Sequence, residues 1–124
     1  MPPKKILVID DEPEVRQLME HFLTGKGFEV RVAENGRTGL ATLETFCPDV
    51  VLLDMHMPEL DGIGTLNELS RRWPALPVIM VTVNEDVETT SRLLQAGAAD
   101  YVPKPFDLEY LEQAISIQLS AAGG

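Results

Sequence analysis

Four apolar runs in this chain end on residues that a packed strand has no reason to carry. Ile6 to Ile9 leads into Asp10 and Asp11, Val50 to Leu53 into Asp54, Val78 to Val81 into Thr82, and Tyr101 to Pro103 into Lys104. Singly these are ordinary: an aspartate after a strand is a turn or capping residue, and a lysine is a solvated charge. If the runs are parallel strands of one sheet, however, their carboxyl ends lie side by side, and acids, a hydroxyl and an ammonium converge on one crevice. Carboxylates gathered in a cleft stay ionised together only when a cation or strong donors compensate them, which implies a divalent ion. All-oxygen ligation with room for water suits Mg2+, with Mn2+ as the second choice, and the lack of clustered Cys and His argues against zinc. Lys104 supplies a point charge suited to a phosphate oxygen, and Thr82 a hydroxyl able to donate to the same group. The chemistry suggested is attack by one aspartate on a phosphoryl group to give an acyl phosphate, with positioning and charge neutralisation as the means of catalysis.

The elements that must position these groups follow from the spacing. Strand-like runs begin near residues 5, 28, 50, 77 and 99, about 22 to 27 residues apart, which leaves room for one helix between each pair. The first such segment sets Val15, Leu18, Met19, Phe22 and Leu23 at helical period, with Pro13 in its first turn and Gly25 and Gly27 at its end. Leu40 and Leu43 anchor the second helix, Ile63, Leu66 and Leu69 the third, and Leu108, Leu111, Ile115 and Leu119 the last, while Thr89-Thr90-Ser91 interrupts the apolar pattern of the fourth. Val30 and Val32 alternate with Glu29 and Arg31, as on an edge strand; the continuously apolar runs belong in the middle of a sheet covered on both faces. The expected fold is α/β: a five-stranded parallel sheet of order 2-1-3-4-5, doubly wound and flavodoxin-like, whose switch point between strands 1 and 3 brings Asp10, Asp11 and Asp54 together.

Composition bounds the function. The 124 residues suffice for one domain with its own core. With 20 acidic against 10 basic residues the net charge is −10, a field that repels phosphate backbones, so no direct nucleic-acid binding is expected of this domain. Cys47, the single cysteine, cannot pair internally and in Phe46-Cys47-Pro48 reads as a small buried thiol. Nothing approaches a signal-peptide core or a membrane span, which reads as a cytoplasmic protein.

The chain resembles the receiver domain of two-component response regulators over residues 4 to 120. The motifs that carry the resemblance are Asp10-Asp11, the segment from Leu53 through Asp54, His56, Pro58 and Asp61 to Gly62, Thr82, and the segment from Ala96 to Phe106 with its Lys104-Pro105. The resemblance implies that Asp54 is the phosphoacceptor, that Asp11 and Asp54 ligate Mg2+ with the backbone carbonyl of His56, and that Asp10 acts largely through metal-bound water. It implies that Lys104 pairs with the phosphoryl group, that Thr82 and Tyr101 form the switch, and that Lys104-Pro105 is a cis peptide. Gly62 and Pro58 take backbone roles near the acceptor. The implied donor is a sensor histidine kinase or phosphotransfer protein, and the implied output is an effector domain or downstream protein reached through helix 4, strand 5 and helix 5.

Three departures from the family pattern stand out. The residue after the switch threonine is usually small; here it is Val83, a β-branched side chain expected to narrow the entrance and slow small donors. His56 and Asn84 flank the site at the positions that tune the lifetime of the acyl phosphate, and the imidazole of His56 is not expected to ligate metal. From Asp107 to Gly124 there is no Lys or Arg, which argues against the winged-helix type of output. The receiver is expected to span residues 1–120, with 121–124 as a small-residue tail or start of a linker. On this reading the protein is no metabolic enzyme and catalyses only its own phosphorylation and dephosphorylation. The competing classes are a phosphorylation-independent pseudo-receiver, for which Val83 leaves room, and an aspartyl-phosphate phosphohydrolase, against which His56 counts because an aspartate is expected there.

Overall fold

The computed structural model describes residues 2–55, 62–83 and 86–123. The elements alternate throughout: β1 (Lys5–Ile9), α1 (Pro13–Gly25), β2 (Glu29–Ala33), α2 (Gly36–Thr42), β3 (Val50–Asp54), α3 (Gly62–Arg72), β4 (Val78–Thr82), α4 (Val87–Gln95), β5 (Asp100–Pro103) and α5 (Leu108–Gly123). The strands form one parallel sheet in the order β2-β1-β3-β4-β5, as expected. His56 and Asn84, with Met57 to Asp61 and Glu85, lie outside the described residues.

Because side chains alternate along a strand, the apolar runs feed two cores. Leu7, Ile9, Val51, Leu53, Val78 and Met80 face one way and pack with Leu43, Leu66, Leu69 and Leu93 from the segments around α2, α3 and α4. Ile6, Val8, Val50, Leu52, Ile79 and Val81 face the other way and meet Met19 and Leu23 of α1 and Leu111, Ala114 and Ile115 of α5. The three central strands are buried on both faces and β2 only on one, which is what their continuous and alternating patterns require.

Local signals set the helix ends. Pro13 opens α1, and Gly27 adopts φ +96 beyond its end, where an L side chain would be strained. Asp86 caps α4 by accepting from Thr89 N at 2.7 Å, and the Thr90 hydroxyl bonds to the Asp86 carbonyl at 3.0 Å, so the polar run that interrupts the helical pattern supplies its first turn. The α5 helix continues through Ala121 to Gly123, residues expected in the tail, as the helix propensity of alanine allows.

Two expectations are corrected. Cys47 is exposed rather than buried: after the turn in which Phe46 N bonds to the Thr42 carbonyl, Phe46 takes the inward place at 3% exposure and its neighbour faces out. Leu18 is 46% exposed, because the apolar stripe of α1 is centred on Met19 and Leu23 and Leu18 lies at its far margin.

Candidate phosphoacceptor site

The cleft is built on chain segments that leave the carboxyl ends of β1, β3, β4 and β5. Asp10 follows β1 directly, its N–H continuing the ladder to the Ala33 carbonyl at 3.1 Å. Its carboxylate is almost fully buried; Oδ1 accepts from Glu12 N at 2.9 Å, which shapes the turn into α1. Arg16 Nη1 donates to the Asp10 carbonyl at 2.8 Å and fixes that turn from the helix side. Asp54 is the last residue of β3, 3% exposed, in register with Val81. Gly62, at the start of α3, donates its N–H to the Met55 carbonyl at 3.0 Å, and a Cβ there would lie 2.6 Å from both the Asp54 and Met55 carbonyl oxygens. Only glycine lets the helix start this close to the backbone behind Asp54.

Lys104 closes the cleft from the other side. Its backbone N–H donates to the Thr82 carbonyl at 2.7 Å, and the peptide to Pro105 is cis, as the resemblance implied. Its Nζ lies 3.3 Å from Asp10 Oδ2, 3.4 Å from Asp54 Oδ1 and 3.2 Å from Glu12 Oε1. All three contacts are longer than a dedicated ammonium–carboxylate bond of about 2.8 Å, as expected when one cation is shared among several anions. Burial raises the pKa of Asp10 against the opposing pull of the Glu12 N–H and Lys104. Burial alone would lower that of Lys104, but Asp10, Asp54 and Glu12 together outweigh it and hold the ammonium above its ordinary value. The shift of Asp10 thus reports lost water, and that of Lys104 the carboxylates gathered around it.

Thr82 ends β4 fully buried, and its hydroxyl donates to the Met55 thioether at 3.3 Å. Tyr101 is half-buried on β5, in register with Met80 and packed against the core on the α3 and α4 side. Val83 is 62% exposed just beyond Thr82, and Pro105 is exposed beside Lys104. The structure thus brings Asp10, Asp54, Thr82 and Lys104 to one place with Asp11 half-buried at its rim.

Among the described residues, the carboxylates close enough to share one ion are Asp10, Asp11 and Glu12, whose ligand oxygens all lie within 4.8 Å of one another. An all-oxygen, carboxylate-rich donor set of this kind fits Mg2+ or Mn2+. Asp54 is outside that cluster, linked to it through the ammonium of Lys104. Sequence reasoning missed Glu12 as a member of the site, since an acid opening a helix has a sufficient explanation in the helix dipole.

Known proteins share this sequence pattern and fold. The family model for the response regulator receiver domain matches residues 6–116. The chain is 43% identical to regulatory protein AtoC of Escherichia coli over 118 residues, covering 92% of this chain and 26% of that protein. It is 40% identical to the DNA-binding transcriptional regulator NtrC of Salmonella typhimurium over 115 residues, covering 90% and 24%. The chain therefore spans about a quarter of the length of these relatives. Among solved structures it superposes on chemotaxis protein CheY4 of Vibrio cholerae with TM-score 0.91 at 28% identity, over 94% of this chain and 99% of that one. Sequence and fold agree, and the chain belongs to the response regulator receiver domains.

Proposed function

We propose that this receiver takes a phosphoryl group onto Asp54 from a sensor histidine kinase or phosphotransfer protein, in a reaction that depends on Mg2+. The observation that carries this reading is the meeting of buried Asp54 and Asp10 at one ammonium, that of Lys104. An Asp54 carboxylate oxygen forms the bond to phosphorus as the bond to the donor's imidazole nitrogen breaks and the imidazole leaves. Asp10, Asp11 and Asp54, with the backbone carbonyl of His56, would hold the metal, which when bound neutralises charge on the transferring group. Lys104, already within reach of Asp54, gives a carboxylate contact up for a phosphoryl oxygen. Thr82 turns its hydroxyl from Met55 toward the same group, and Tyr101 packs into the space that opens. The surface of α4, β5 and α5 then changes its affinity for an effector domain or downstream protein. That the relatives are about four times longer supports reading the chain as the receiver of a larger cytoplasmic regulator; the domain proposed is residues 1–120, with α5 running on to Gly123.

Mass spectrometry after incubation with a phosphoryl donor and Mg2+ tests the proposal. An added mass of about 80 Da is expected on the wild type and not on Asp54→Asn. If both proteins stay unmodified with a competent kinase, the fold serves as a phosphorylation-independent binding module; multiple turnovers of a small phosphomonoester would make it a hydrolase.

A further inference from the structure

Glu12 stands at the N-cap of α1 with extended backbone, φ −89 and ψ 117, yet its side chain makes no capping hydrogen bond. Glutamate is also not among the residues that serve well at that position. The backbone there is well held, by the Glu12 N–H on Asp10 Oδ1 at 2.9 Å and by Arg16 N on the Glu12 carbonyl at 3.0 Å. What the side chain does is reach across 92 residues of sequence to Lys104, at 3.2 Å the shortest of the three contacts to that ammonium. Of those three acceptors it is the hydrated one, its side chain 57% exposed against 2% for Asp10 and 3% for Asp54. Its carboxylate also lies beside Asp10 and Asp11.

From this geometry we propose that Glu12 is a positioning residue for Lys104: it keeps the ammonium at the mouth of the cleft when a divalent cation takes Asp10 and Asp54. The inference rests on the reading of the cleft as a divalent-cation site. Two cations cannot share the same buried carboxylates without repulsion, so lysine must yield as the metal enters. A lysine that retains Glu12 yields at little cost. A lysine without it presses back on Asp10 and Asp54 and competes with the metal.

Titration of the unphosphorylated protein with Mg2+ alone, by calorimetry, tests this through binding rather than activity. Glu12→Gln is expected to weaken Mg2+ about two- to fivefold while Lys104 is present, the range of a partly exposed ion pair. The shift is expected to shrink to less than half when Lys104 is already Gln, because Glu12 acts through that side chain. Equal shifts in the two backgrounds would overturn the proposal, since Glu12 would then act on the metal by its own charge, and so would no shift beside Lys104. Should Lys104→Gln fail to fold, Glu12→Asp decides: it keeps the charge but loses the reach, and is expected to weaken Mg2+ as well. A wild-type isotherm for Glu12→Asp would overturn the proposal. None of these outcomes depends on whether Asp54 accepts a phosphoryl group, which the mass measurement reads separately.

Discussion

The two ends of one sheet are put to opposite uses. At the carboxyl ends, Asp10 and Asp54 are buried around the Lys104 ammonium and Thr82 is buried at the end of β4. At the amino ends, neighbouring strands are joined by backbone bonds such as Asp49 N to the Lys5 carbonyl at 2.7 Å and Val51 N to the Pro77 carbonyl at 3.0 Å. A groove of about 490 Å³ lies there, lined by side chains that include Leu43, Cys47, Pro48, Trp73, Pro74 and Leu76, with the Arg72 guanidinium 4.4 Å from the centre of the Trp73 ring. The strands between are the same strands, so the difference lies in hydration. Arg72 at the amino end keeps much of its water, whereas Asp10 and Asp54 at the carboxyl end have lost theirs and only Glu12, at the rim, stays hydrated. Dehydrated charge is what makes an acid reactive, and it costs stability.

Substitutions can break this comparison, and the largest effect is expected at the end without chemistry. Trp73→Ala should lower stability by about 2 kcal/mol, since the half-buried indole packs on the core, while the extent of Asp54 phosphorylation stays unchanged. Urea unfolding followed by circular dichroism, with the mass measurement, checks both halves; a receiver that loses phosphorylation with no loss of stability would erase the division of labour.

At the other end the sign reverses. Asp10→Asn keeps an acceptor for the Glu12 N–H, removes one dehydrated charge, and should stabilise the metal-free protein by about 1 kcal/mol while weakening Mg2+. Since burial raises the Asp10 pKa in the fold, its cost is full above that raised value and disappears as the pH falls toward the ordinary 3.8. The advantage of the asparagine variant should therefore vanish in acid. Unfolding curves in chelator across that range would contradict this if the gap stayed constant.

The smallest effect on stability, within about 0.5 kcal/mol, is expected from Val83→Ala, because the side chain is largely exposed. Its consequence should be kinetic, a faster phosphorylation by acetyl phosphate. An unchanged rate would show that Val83 does not narrow the entrance.

What was legible in the sequence were features written locally. Strand polarity and the strand-end positions of Asp54, Thr82 and Lys104 follow from apolar runs and their spacing, and the sheet order from the few topologies that right-handed crossovers allow. What was not legible depended on contacts between distant segments or on the margins of a pattern. Glu12 meets Lys104 only after the whole sheet is assembled. The Thr82 hydroxyl finds Met55, a thioether that no pattern marks as an acceptor. Cys47 faces out because Phe46 takes the interior, a choice between neighbours that hydrophobicity alone does not make.

The ammonium shared by Asp10, Glu12 and Asp54 has a consequence for the life of the molecule before any signal arrives. It is an internal counter-ion carried by the chain itself, joining the loops after β1 and β5 to the end of β3. Assembly of the fold is therefore expected not to wait on metal supply. If the cleft takes Mg2+ as proposed, a chelator is expected to silence the protein without unfolding it, leaving newly made copies folded through magnesium scarcity.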